Sequence, residues 1–431
     1  MAIWHYKLFW IGCLVSMAMT SAEVACSNDD GDGVCDCSDD HTVDCRYKGM
    51  EEFPQEIPAE TLKLHVEGNY ITELNANDLA GLADLEKLNL HFNSINDIED
   101  GSFSDLQNLQ HLALDYNMVT TVTAQTFVGL DKLSSLSLIH NNISIIEDGS
   151  FQPLGSLKVL DLSFNKITAL GVSAILSGLE GNLKELGLRY NMLPEIPAAI
   201  GLLENLQTLN LAGNNISSIS TIQNMTSLLT LDLSNNRVMH LDPGIFQNIE
   251  NLQVLSMAYN RIGMIAEGVF ANLTELRSLD LQGNNVQRFN RGMFTNVATN
   301  SSKLRLHLRR MNLRAVDKFC FRDVGNEDAK VPSFYLCSIQ IDLRNNRLKM
   351  IPPGLCRSLP EGQLHIKLAG NPWLCDCLME RVPDLCPTAI VSRIRCVQPE
   401  PLNRRLLGTL GADDLVCEPT EEPDGETDSV E

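Results

Sequence analysis

His91 and Asp115 occupy equivalent places in two successive segments of this chain, an imidazole and a carboxylate able to touch across neighbouring strands and pass a proton. Metal chemistry has a candidate in Asn28-Asp29-Asp30-Gly31-Asp32-Gly33, which continues to Asp36 and Asp39 and sets oxygens at positions one, three, five, nine and twelve of an EF-hand-like loop. The fit is partial. The last ligand is aspartate, no flanking helix is evident, and Cys35 and Cys37 interrupt the segment, so the expectation is an acidic loop without metal. No His-Glu-x-x-His, Gly-x-Ser-x-Gly or Cys-x-x-Cys pair occurs. The chemistry-bearing residues therefore point away from an enzyme and call for no cofactor, and their meaning depends on the elements that carry them.

Those elements repeat. An asparagine returns at Asn69, Asn93, Asn117, Asn141 and Asn165, then at Asn191, Asn214, Asn236, Asn260, Asn284, Asn346 and Asn371. Around each lies one frame, as in Leu85, Leu88, Leu90, Asn93, Ile95. This is the leucine-rich-repeat pattern, in which a short strand turns its leucines inward. The asparagine then satisfies backbone groups buried at the turn, because its amide both donates and accepts. Leu79, Phe103, Phe127, Phe151, Ile175, Phe246, Phe270, Phe294 and Phe321 recur in the second half of their units and predict an apolar, largely aromatic spine under the convex side. The expected fold is an α/β solenoid, a horseshoe of about 13 repeats with a parallel sheet on its concave face. Met311 stands where one asparagine belongs, and the next unit is stretched by Gly325 to Cys337, so regular curvature is expected to break there. That insertion reads as a convex loop held by a disulfide, or as a specificity loop projecting from the scaffold.

The net charge of −22 argues against nucleic acid and anionic membranes as partners. Residues 1–22, with Lys7 before the apolar run Leu8 to Met19, read as a secretory signal peptide. No later stretch reaches the ~20 apolar residues that span a bilayer. Residues 418–431 read as an acidic, disordered tail, and the mature protein is expected to be secreted, extracellular and soluble.

Thirteen cysteines include Cys13 in the signal, leaving an even number in a secreted chain and hence a disulfide framework. They cluster at the ends, where a solenoid must cover its terminal core. Cys26, Cys35, Cys37 and Cys45, followed by Phe53-Pro54-Gln55-Glu56-Ile57-Pro58, resemble the amino-terminal cap of extracellular leucine-rich-repeat proteins. Asn371-Pro372-Trp373-Leu374-Cys375-Asp376-Cys377, with Cys396 and Cys417, resembles their carboxy-terminal cap. Related groups are the Slit-like, chondroadherin-like, acid-labile-subunit-like and variable-lymphocyte-receptor-like proteins. The resemblance implies Cys26 with Cys37, Cys35 with Cys45, Cys375 with Cys396 and Cys377 with Cys417. Cys320, Cys337, Cys356 and Cys386 lie outside it; Cys320 with Cys337 and Cys356 with Cys386 is favoured among three possible pairings. The domains expected are the signal peptide, an amino-terminal cap (23–60), repeats (61–371), a carboxy-terminal cap (372–417) and the tail.

In the strand x-x-Leu-x-Leu-x-x-Asn the x positions turn outward and stack in columns ~4.8 Å apart. The column just before the asparagine reads Phe92, Tyr116, His140, Phe164, Tyr190 through five consecutive repeats, an exposed aromatic strip of the kind protein interfaces concentrate. Arg309, Arg310 and Arg344, with Arg305 and His307, make the far end of the concave face basic, suited to an acidic segment or sulfated glycan, or else paired with Asp280 and Asp342. His65, His91, His111, His140, His307 and His365 also face outward and read as solvated surface. Asn142, Asn215, Asn224, Asn272 and Asn300 open Asn-x-Ser/Thr sequons and are candidate glycan sites. The function expected is recognition of an extracellular protein by the concave face. Alternatives are a matrix component binding collagen or glycosaminoglycan, and innate immune recognition.

Overall fold

The computed structural model describes residues 25–26, 34–39, 41–170, 175–219, 222, 225–321, 324, 338–352, 355, 364–379, 382 and 394–415. The signal segment, the loop Asn28 to Gly33, Asn224, the insertion Gly325 to Cys337, the tail, Cys356, Cys386 and Cys417 lie outside them.

Each unit opens on a strand of about three residues, such as Lys87–Asn89, whose central leucine is buried while its neighbours face out. These strands form a 15-stranded sheet. The hairpin Asp36–Asp39 and Thr42–Asp44 starts it antiparallel. From Thr42–Asp44 to Leu364–Lys367 the neighbours run parallel, with leucine facing leucine in step, Leu64, Leu88 and Leu112 among them. A slip of one residue would send every core leucine to solvent, and that penalty holds the register.

Between strands the asparagines tie one turn to the next. Asn117 Nδ2 donates to Leu90 O of the preceding turn (3.0 Å) and Leu114 O of its own (3.1 Å), and its Oδ1 accepts from Ile95 N–H (2.9 Å). Asn93, Asn141 and Asn165 repeat the pattern, all buried. At the missing rung Met311 is fully buried, and Asn346 Oδ1 accepts from both Met311 N–H (2.9 Å) and Leu313 N–H (3.2 Å). The expected break does not reach the sheet: Lys303–His307 pairs with Ser338–Asp342 over five residues without a slip.

On the convex side the helices of an α/β solenoid are replaced, among the described residues of the repeats, by turns, two-residue strands such as Thr121–Val122 with Ile145–Ile146, and one 3-10 helix, Ala198–Leu202. A helix is ~10 Å wide and cannot stack at the spacing of adjacent strands without splaying the outer side. The phenylalanine spine fills that side: Phe103, Phe127 and Phe151 stack at 6.3 and 6.1 Å, and Phe246, Phe270, Phe294 and Phe321 at 5.7, 5.8 and 5.2 Å. These steps exceed the 4.1–4.7 Å between rings at the sheet's edge, and the difference between the two spacings bends the solenoid.

Disulfides Cys26–Cys37 and Cys35–Cys45 close the amino-terminal end, and Cys375–Cys396 the other, beside the buried Trp373. Cys377 is also disulfide-bonded. The pairing of Cys320 with Cys337 is corrected: Cys320 is a free, fully buried thiol. It ends a turn from Asp317, immediately before the spine residue Phe321, so its sulfur faces core and acts as a small apolar group. Burial pushes the thiol far above its ordinary value.

Candidate interaction surface

The aromatic strip does not lie in the strands. Phe92, Tyr116, His140, Phe164 and Tyr190 each sit just past one, with φ of 54°, 54°, 54°, 58° and 51°, where the chain turns out of the sheet. The left-handed region costs a residue with a Cβ ~1–2 kcal/mol. The same column holds Gly68, Gly213, Asn235 and Gly283, residue types that tolerate this conformation, and also Tyr47, Tyr259 and Arg310. Five successive side chains without that tolerance need compensation.

Stacking supplies part of it. Phe92–Tyr116, Tyr116–His140, His140–Phe164 and Phe164–Tyr190 lie 4.4, 4.4, 4.1 and 4.7 Å apart, within 20° of parallel. Arg189 adds its guanidinium carbon 5.0 Å from the Phe164 centroid and 5.2 Å from that of Tyr190. Inside the column ring faces meet ring faces, so solvent sees mainly edges. Phe92, Tyr116 and Tyr190 nonetheless remain exposed. At its end the strip closes on glycine: a Cβ on Gly213 would fall 2.6 Å from Tyr190 Cδ1.

His91 and Asp115 make no proton-sharing pair. His91 Nδ1 bonds Asn89 Oδ1, and the ring stands edge-on to Phe92 at 5.0 Å. Asp115 Oδ1 accepts from the Ser137 hydroxyl and from Ile139 N–H (2.8 Å). Burial raises the Asp115 pKa, those two hydrogen bonds only partly opposing it. Among the described residues no three His, Cys, Asp or Glu side chains converge as a metal site would require.

At the basic end Arg344 is engaged. Its Nε and Nη2 fork onto Asp342 Oδ1 (2.9 Å) and Oδ2 (2.7 Å), two residues back in the chain at the end of the strand and not across the sheet. Burial pushes the Asp342 carboxyl up, but the Arg344 fork and backbone N–H more than offset it and leave it below the ordinary value. Arg309 is half-buried with its Nε unpartnered, while Arg310 is exposed at φ 56°. Asp280 faces His307 in register; burial raises its pKa against hydrogen bonds from Gln282 and the His307 charge.

Of the sequons, Asn272 and Asn300 are exposed and adjoining, since Asn300 N–H donates to Thr274 O (3.0 Å). Asn142 and Asn215 are half-exposed beside their rungs. Sequence reasoning missed the cluster of Asp44, Arg46, His65 and Glu67 at the amino-terminal end. There Arg46 Nε and Nη2 grip Asp44 at 2.8 and 2.5 Å, and Glu67 is buried. The outward columns pass through these residues, but nothing in their types marks a glutamate that packs inward.

The family model described as Leucine rich repeat matches residues 60–119, 84–143, 107–167, 132–180, 181–238 and 226–286. Human podocan-like protein 1 is 37% identical over 82 residues, covering 19% of this chain and 16% of that protein. Rat decorin is 40% identical over 58 residues (14% and 16%), and trophoblast glycoprotein of Macaca fascicularis 35% over 96 (21% and 23%). The chain thus matches less than a quarter of the length of each of these relatives. A chain of the Toll–Spatzle complex of Drosophila superposes with a TM-score of 0.69 at 21% identity, covering 83% of this chain and 49% of that one. A chain from an octameric complex of Latrophilin 3, Unc5D and FLRT2 gives 0.59 at 23% identity, covering 90% and 99%. Matched across more than half its length and built rung by rung on the asparagines, the chain belongs to the leucine-rich-repeat family.

Proposed function

We propose that this chain is a secreted recognition protein that binds an extracellular protein partner at its concave sheet and the aromatic edge beside it, without catalysis. One observation carries the reading: five consecutive rings held at left-handed positions, three of them exposed and His140 and Phe164 half-buried, where glycine or asparagine would relieve the backbone. Two of the solved structures with the same fold come from protein complexes, and disulfide-closed ends suit an oxidising compartment. Residues 1–22 are assigned to a signal peptide and the exposed Asn272 and Asn300 to glycans that leave the sheet open. The test is affinity capture of a partner, then alanine at Phe92, Tyr116 and Phe164 together. Unchanged affinity would reduce the strip to packing.

A second reading, matrix binding through a glycosaminoglycan, rests on the unpartnered Nε of Arg309 beside the exposed Arg310. Arg344 contributes less because Asp342 already holds it. Retention on heparin at physiological salt that Arg309→Ala abolishes supports this reading; flow-through rejects it.

A further inference from the structure

We propose that the notch beside Gly68, between Tyr47 and Phe92, is a socket for an arginine side chain of a protein partner.

The ring column is interrupted there. Gly68, at φ 75°, contributes no side chain, and the Tyr47 ring lies over its backbone, 2.2 Å from where a Cβ would stand. Within the strip each interior ring is covered on both faces by its neighbours. Among the described residues no ring stacks on Tyr47, and Phe92 stacks in parallel only on Tyr116, with the His91 ring edge-on to it, so each has one face with no parallel ring on it. Their exposures are 70% and 49%, against 44% for Tyr116 inside the strip and for Tyr190 at its far end. Tyr47 and Phe92 belong to repeats two steps apart, and at 4.1–4.7 Å per ring step that interval accommodates one more planar group.

Glu67 immediately precedes Gly68 in the chain. Its side chain is only 6% exposed, Oε2 has no hydrogen-bond partner, and Oε1 has two distant nitrogen neighbours, Arg46 Nε at 3.8 Å and His65 Nδ1 at 3.4 Å. Neither completes a hydrogen bond. Arg46 is spent on Asp44, and His65 Nδ1 is itself unpartnered. Asp44, Arg46 and Glu67 together carry one formal negative charge in excess, in a place where an orphaned carboxylate oxygen is destabilising. A guanidinium answers both features: it is flat enough to stack on ring faces and carries donors in a fork that matches a carboxylate. A lysine ammonium, compact and strongly hydrated, meets only the charge.

The probe is N-acetyl-arginine amide, titrated into the full glycosylated chain carrying 13C-labelled tyrosine and phenylalanine. Because the probe is small, the result does not depend on whether the aromatic strip binds a partner. The Tyr47 and Phe92 ring signals are expected to shift saturably, with N-acetyl-lysine amide binding about five-fold more weakly. Glu67→Gln should weaken the arginine probe by a similar factor. Tyr47→Ala, at a position 70% exposed, should reduce the Phe92 response. Ring signals that do not move at tens of millimolar probe, or that move equally for the lysine probe and in both variants, overturn the socket.

Discussion

Phe164 allows the strip's stability to be separated from its use. It stacks on His140 at 4.1 Å and Tyr190 at 4.7 Å, receives Arg189, and sits at φ 58°. Replacing it with alanine removes two aromatic contacts of ~0.5–1.5 kcal/mol each and the burial of a half-covered ring, about 1 kcal/mol more, while the left-handed backbone stays strained. The expected loss is about 2–4 kcal/mol. Glycine removes the same contacts but relieves the strain, and after its own entropic penalty it should be more stable than alanine by about 0.5–1 kcal/mol. Both values come from urea unfolding of Phe164→Ala, Phe164→Gly and the parent, followed by fluorescence and circular dichroism with matched slopes. Glycine no better than alanine refutes the claim that the column is strained. A loss below ~0.5 kcal/mol for alanine refutes stacking as the compensation and leaves recognition as the reason the rings are kept.

Asn117→Ala should destabilise by about 2–4 kcal/mol in the same assay; Leu90 O and Leu114 O keep donors from Asn93 and Asn141, but Ile95 N–H loses its acceptor in the core. Cys320 should resist iodoacetamide in the native protein at pH 8 and react once unfolded; native labelling would contradict its burial. For Asp115, burial raises the folded pKa above the unfolded one, so the ionised carboxylate costs stability that is absent at low pH and grows as pH rises through the folded value. Asp115→Asn should therefore gain on the parent between pH 4 and 7 in paired thermal melts, and a constant difference across that range would reject the assignment.

The repeat was legible in the sequence because each asparagine answers a fixed demand, three backbone groups facing one buried site, which no apolar residue can meet. The spine was legible for the same reason of periodic burial. The left-handed turn under the rings was also readable in principle, since Gly213, Asn235 and Gly283 in the same column are the types that tolerate it, but the aromatics drew attention to contact area instead of backbone. The Cys320 error has another origin. Cysteine parity counts partners but says nothing of direction, and this thiol points into the spine. The Glu67 cluster was hidden because burial of one charged side chain depends on its neighbours' rotamers, which leave no periodic trace.

The rings share one tilt: Tyr47 lies over Gly68, Tyr190 over Gly213 and Tyr259 over Gly283, each leaning on the repeat that follows it. Such a lean acts as a grammar for joining repeats. A unit carrying an aromatic at this position can be followed only by another flat ring or by glycine, and the column obeys that rule from Tyr47 to Gly283. A unit bearing asparagine or arginine at this position would break the rule if it were moved to follow an aromatic one, whereas the block from the Phe92 unit through the Gly213 unit carries its own stop and can be followed by any of them.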